Sequence, residues 1–160
     1  KKPICVIQVQ GHVGLEARCA GVKSKIPATE VLYVQGTDMT QVQSTTTAKL
    51  QTSKDVDVII GLGAPISLTL LKSVAEANSS AKVASFDMNA EMAQKIVDGE
   101  ILFTVDQQPW LQGYESIDAI WLDSVGGFAL GGGQPVPTGP SIVDTDNAKA
   151  VLKFAEEGLR

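Results

Sequence analysis

Five polar clusters mark where side chains of this sequence could do chemistry. They are Gln10-Gly11-His12, Gln35-Gly36-Thr37, Gly61-Leu62-Gly63, Asp87-Met88-Asn89 and Asp106-Gln107-Gln108, each following an apolar run. Together they offer carboxamides and carboxylates, with almost no reactive nucleophile or base among them. Planar amide, carboxylate and guanidinium groups make several hydrogen bonds in one plane, which suits the vicinal hydroxyls of a sugar, and aromatic rings suit its apolar faces. A plainer reading stands beside this one: every strand must end in a turn, and turns are built from these residues.

Other chemistries find less support. Gly61-Leu62-Gly63 is a fragment of a dinucleotide fingerprint, but Pro65 and Ile66 stand where the remainder should follow, and Gly11 to Gly14 lacks the Lys-Ser/Thr of a phosphate loop. One histidine, His12, cannot make a His-rich metal site, and the two cysteines lack CxxC spacing. No GxSxG elbow presents a serine. Asp87 and Asp106 are conceivable as an acid/base pair, though nothing in the sequence requires it. Hydrogen bonding without turnover, and without a cofactor, is the expectation.

The elements that must position these clusters repeat as strand then helix. Apolar runs at 3–9, 30–36, 56–61, 82–86 and 101–105 are rich in Val and Ile and barely alternate, as strands buried on both faces of a parallel sheet do. The first four begin about one βαβ step apart. Ile66, Leu70, Val74 and Ala77 recur at helical spacing in 66–77, and Met92 and Ile96 share one side of 90–98, which Gly99 ends. The Thr-rich segment 40–53 reads as a weakly amphipathic helix. After 105 the rhythm changes. Pro109 opens a helix over 109–122 with Trp110, Tyr114, Ile117 and Trp121 on one face. Residues 126–140 are Gly- and Pro-rich and read as a loop. A short strand at 141–143 follows, then a helix from about 147 to 158, with Asp144, Thr145 and Asp146 as its N-cap candidates. The fold class is α/β, a three-layer Rossmann-like parallel sheet with helices on both faces.

A chain of 160 residues suits one domain with a real core. Its net charge of −5 carries no basic footprint, so nucleic acid is not an expected partner. No apolar run reaches the length of a membrane span. The chain opens directly on a strand, "KKPICVIQV", without Met, so a leader or an upstream domain is expected to precede it, carrying any localisation signal. Cys5 and Cys19 read first as two buried small hydrophobes. A disulfide is the alternative, because the helix bearing Cys19 packs on the sheet bearing Cys5.

With "GHVGLEARCAG" at 11–21, "DVDVII" at 55–60, "VASFD" at 83–87, Asp98-Gly99 and "TVDQQP" at 104–109, the chain resembles the C-terminal half of a type I periplasmic solute-binding protein, of the ribose/galactose-type sugar receptors of ABC transporters. "GGGQPVPTGP" followed by "SIVDTDNA" resembles the closing segment of one subgroup. The resemblance implies two lobes joined by crossing segments, a sugar or polyol in the cleft between them, an ABC transporter permease as partner and a periplasmic or extracytoplasmic location, with a lipoprotein anchor as one form. It implies that Arg18, in the Arg-x-x-Gly pattern, reaches the sugar, that Asp87 is the strand-end aspartate, and that Gln107 is a hinge glutamine touching ligand. Met39 stands where an aromatic ring would stack and Gly63 where an asparagine would bond, a departure that points away from ribose toward another sugar or polyol. His12, at the first strand end, and Met39 complete the candidate ligand-binding residues. For each matched residue a structural role stands alongside: an exposed helix position for Arg18, a helix cap for Asp87, a turn for Gln107.

The same resemblance divides the chain into a ligand-binding lobe at 1–106, a crossing segment at 107–140 belonging to a first lobe, and a return strand and helix at 141–160. The apolar face of Trp110, Tyr114, Ile117 and Trp121 then lacks its cover, so it is expected either to self-associate or to fold back on its own sheet. Two rivals stand: the effector domain of a LacI-type transcription regulator, which shares the fold, and an unrelated Rossmann-like enzyme. A helix-turn-helix upstream would mark the regulator, a signal peptide the receptor, and turnover of a sugar phosphate or nucleotide the enzyme.

Overall fold

Short Val/Ile-rich runs separated by helices give a sheet threaded by crossovers. The computed structural model describes residues 2–160. In chain order the elements are β1 (Pro3–Ile7), α1 (Val13–Lys25), β2 (Glu30–Tyr33), α2 (Met39–Thr52), β3 (Val58–Gly61), α3 (Ala64–Glu76), β4 (Lys82–Phe86), α4 (Ala90–Val97), β5 (Ile101–Asp106), α5 (Pro109–Gly126), a short turn Leu130–Gly133, β6 (Ser141–Asp144) and α6 (Ala148–Glu156). The sheet runs in the order β2-β1-β3-β4-β5-β6. All neighbours are parallel except β5 and β6, which pair antiparallel with Phe103 opposite Asp144 and Asp106 opposite Ser141.

Right-handed crossovers decide which helix covers which face. The step from β1 to β2 runs one way along the sheet, and the steps from β2 through β5 run the other. Thus α1 lies on one face, and α2, α3 and α4 lie on the opposite face, where α6 packs against α4. Alternating strand residues feed the two cores. Ile4, Val6, Ile59, Val83 and Ile101 meet Val42, Leu50, Leu70, Met92 and Ile96 on the helix-rich side. Cys5, Ile7, Ile60 and Ala84 meet Leu15 and Cys19 on the side of α1. There the structure takes the alternative for the cysteines: both are buried, and they are joined as a disulfide.

Several boundaries differ from the sequence reading. The first strand ends at Ile7, because the Val9 carbonyl accepts from the His12 N–H in a turn. Segment 40–53 is helical as expected, with Asp38 capping it by accepting from the Gln41 N–H at 3.0 Å. Gly99, at φ 74°, ends α4, and the Glu100 N–H returns to the Lys95 carbonyl. At α6 none of Asp144, Thr145 and Asp146 is the N-cap. Asn147 holds that position and turns its side chain back to accept from the Asp144 N–H, while the Asp144 carboxylate accepts from the Asp146 N–H.

The largest difference concerns α5. It runs four residues past 122, to Gly126, and contains no buried residue. Trp110 and Tyr114 stack on each other at 5.5 Å between ring centroids, and Trp121 is 60% exposed. The expected folding back onto the sheet does not occur. The reason is topological: β6 is antiparallel to β5, so this connection need not cross the sheet face as a βαβ helix must.

Candidate ligand-binding site

Strand order reverses between β1 and β3, and in an open parallel sheet the crevice beyond the carboxyl ends at such a point is where ligands bind. Asp87 stands beyond the end of β4. Its backbone is pinned to β5 in both directions: its N–H donates to the Val105 carbonyl at 3.0 Å, and its carbonyl accepts from the Thr104 hydroxyl at 2.6 Å. It adopts a left-handed φ of 65°, a conformation Asp tolerates better than most residues. The capping role open to Asp87 is filled by Asn89, which accepts from the Met92 N–H at 2.7 Å. The Asp87 carboxylate is therefore left facing the crevice.

Two donors converge on it. Gln107 Nε2 donates to Asp87 Oδ1 at 2.9 Å, and Arg18 Nη2 lies 3.6 Å from the same oxygen. Arg18 is fixed from two other sides: Nη1 donates to the Leu62 carbonyl at 3.2 Å, and the guanidinium lies over the Phe86 ring at 4.8 Å. The Arg18 side chain is 25% exposed and that of Asp87 35%, so both are held yet reachable. Gly63 keeps the space beside them open. A Cβ there would stand 3.8 Å from Asp87 Oδ2 and 3.4 Å from Gln8 Nε2, so a longer side chain would fill the gap between the two.

Of the five residues singled out in the sequence, Arg18, Asp87 and Gln107 come together. The other two sit outside this cluster. His12 is exposed and caps α1 by accepting from the Leu15 N–H at 3.4 Å. Met39 opens α2, packs against the core, and its sulfur accepts from the Thr69 hydroxyl. The conceivable acid/base pair is not assembled: Asp106 is fully buried and ion-paired with Arg160 at 3.1 Å, while Asp87 engages Arg18 and Gln107.

Gln8 is the residue that sequence reasoning missed. It lies just past β1, donates Nε2 to the Leu62 carbonyl at 3.3 Å and leaves Oε1 buried with no hydrogen-bond partner among the described residues. Gly36 makes room for it, since a Cβ there would come within 2.6 Å of Gln8 Cβ. The available signal was a lone amide at the end of an otherwise apolar run. Gln8 also lines a cleft of about 500 Å³ with Gln10, Gln35 and Gln41, and Gln107 lines another of about 560 Å³ between α5 and the Gly/Pro-rich loop that follows it.

A family model described as "Periplasmic binding protein domain" matches residues 1–123. The chain belongs to the periplasmic binding protein family. A solved carbohydrate transporter from Acidothermus cellulolyticus 11B, in complex with myo-inositol, is 43% identical with a TM-score of 0.95, covering 100% of this chain and 56% of that one. The Caulobacter myo-inositol binding protein bound to myo-inositol is 23% identical, with a TM-score of 0.78, over 97% of this chain and 55% of that one. A periplasmic ribose ABC transporter structure from Conexibacter woesei DSM 14684 is 20% identical, with a TM-score of 0.77, over 98% and 55%. The last two share the fold with this chain. The chain spans about half the length of these structures. No curated protein matches it. The fold is that of one lobe of a type I periplasmic binding protein, a mostly parallel six-stranded sheet with helices on both faces.

Proposed function

We propose that this chain supplies one wall of a sugar- or polyol-binding cleft in the extracytoplasmic substrate-binding component of an ABC transporter, with the transporter's permease as its partner. The observation that carries the reading is the convergence of Arg18 and Gln107 on Asp87 beside the open backbone of Gly63. A carboxylate with two acceptor oxygens takes two adjacent hydroxyls, and the flanking guanidinium and amide supply donors to the oxygens of the same ligand. The Arg18–Asp87 distance of 3.6 Å is loose for a charged hydrogen bond, which leaves these groups able to turn to a ligand.

Gly63 and Met39 bear on the ligand class. With no side chain at Gly63 and the sulfur of Met39 engaged by Thr69, this wall offers neither an amide nor a stacking ring at those positions. A ring bearing hydroxyls all round its edge fits a wall of this kind, and the 43%-identical structure holding myo-inositol supports a cyclic polyol. Closure follows from differential contact. A ligand that touches this wall and a facing lobe only when the two approach shifts the population toward the closed form.

The test is a thermal-shift and calorimetric screen of the full-length protein against myo-inositol, ribose, arabinose, galactose and glucitol, repeated with Asp87→Ala. Removing two charge-assisted hydrogen bonds is expected to weaken the best ligand about 100-fold. If that ligand binds the variant as tightly as the parent, the site is misassigned.

A further inference from the structure

We propose that Arg160 is a positioning residue for Gln107, acting through Asp106 and Gln108 across a separation of more than fifty positions in the chain. The inference rests on the reading of Gln107 as a ligand contact.

Asp106 is fully buried at the end of β5; its Oδ1 accepts a hydrogen bond, while its Oδ2 makes none among the described residues and is met by charge alone. Arg160 Nη2 lies 3.1 Å from Oδ2, and Oδ1 accepts from the Gln108 N–H at 2.9 Å. The second arm of the guanidinium donates from Nη1 to Gln108 Oε1 at 2.7 Å. Gln108 passes the network on, its Nε2 donating to the Thr138 carbonyl. The Thr138 hydroxyl then donates back to the carbonyl of Gln107 at 2.8 Å, and Gln112 Nε2 donates to that same carbonyl at 3.0 Å. Both neighbours of Gln107, and its own peptide, are thereby held.

The side chain of Gln107 receives no comparable support. It is exposed, and among the described residues its amide meets only Asp87 and, at 3.5 Å, Gln112. Where that amide points is accordingly set by the backbone, and the backbone is set by the network. Gln108 makes the dependence sharper. It sits at φ 58°, a left-handed conformation that is uncommon for a residue other than glycine and costs it some strain. The fork of Arg160 engages Asp106 and Gln108 at once, which a lysine's single ammonium does not reproduce in geometry.

The test is a double-mutant cycle in the full-length protein, with affinity read by calorimetry for the tightest binder of the panel above, expected to be myo-inositol. Arg160→Met is expected to weaken binding about tenfold in the parent and less than about twofold in Gln107→Ala, because coupled residues are non-additive. A merely structural role for Arg160 would lower affinity by the same factor in both backgrounds, and that result, or no loss at all, overturns the proposal. If Gln107→Ala alone leaves affinity unchanged, the site reading itself is what fails. Should Arg160→Met not fold, Gln108→Gly carries the same cycle with the same criteria. It removes the bridging amide while the backbone keeps a conformation glycine adopts freely.

Discussion

The body of the molecule and its α5 arm are built from similar residue types, yet they settle in opposite environments. In the body Ile59 and Leu70 are fully buried, and helices pack on both faces of the sheet, leaving Leu102 of β5 and Ile142 of β6 exposed at its far end. In α5 Ile117, Ile120 and Trp121 are 60–67% exposed, although the helix is longer than any other here. Apolar pattern alone states that a face wants covering, and topology decides whether the chain can supply the cover. Helices α2, α3 and α4 are crossovers between parallel strands and are laid across the sheet by that geometry. Helix α5 links antiparallel neighbours and is not.

The largest loss is expected in the body. Leu70→Ala removes a side chain at the contact of α3 with the main core. Urea denaturation is expected to show a loss of about 2–5 kcal/mol, the range for emptying a packed leucine site. A loss no larger than that of an exposed substitution would mean that the body is not the source of stability.

The arm gives the smaller, contrasting effect. Measured at a protein concentration low enough for the parent to be monomeric, Trp121→Glu with Ile117→Glu is expected to change the unfolding free energy of this chain by no more than about 0.5 kcal/mol, as surface substitutions do. Its readout is association. We propose that the uncovered face pairs copies of the 160-residue chain, so the parent sediments as a dimer or larger species and the double variant as a monomer. A monomeric parent would break this half of the comparison.

Two aspartates show how far the sequence can be read and where it stops. Asp87 and Asp106 each close an apolar strand, and by residue type and spacing they are equivalent. The βα rhythm, the buried strands and most helix positions were legible because hydrophobic period and terminal glycines act locally. The grouping of Arg18, Asp87 and Gln107 was legible only through resemblance, since it depends on strand order, which no local signal encodes. What separates the two aspartates is Arg160, a contact between distant parts of the chain that buries one carboxylate and leaves the other facing the crevice. Gln8 escaped for a related reason: its role depends on Gly36 and Leu62, on two other segments. The disulfide was left open because two cysteines suit a core equally well as thiols.

The smallest effect belongs to surface charge, and it checks whether burial alone distinguishes body from arm. Lys2, next to β1, donates from Nζ to Asp55 at 2.8 Å. That hydrogen bond, before any other influence, holds the Asp55 carboxyl below its ordinary 3.8 and raises Lys2 above its ordinary 10.5. The sign follows from linkage. A depressed carboxyl contributes stability that is present above its unfolded value and is lost as pH falls through the folded one. The raised lysine contributes stability that is present below 10.5 and is lost as pH climbs past its folded value. Both groups are exposed, so solvent screening leaves the pair little weight. Asp55→Asn is therefore expected to shift the melting temperature at neutral pH less than either change above. The shift should shrink as pH falls below 3.8 and through the lower value of the folded carboxyl, and also in about 1 M salt, where screening reaches within a few ångströms. A shift at pH 7 that rivals Leu70→Ala would mean that charge at the sheet's amino edge, and not the packed faces, holds the body together.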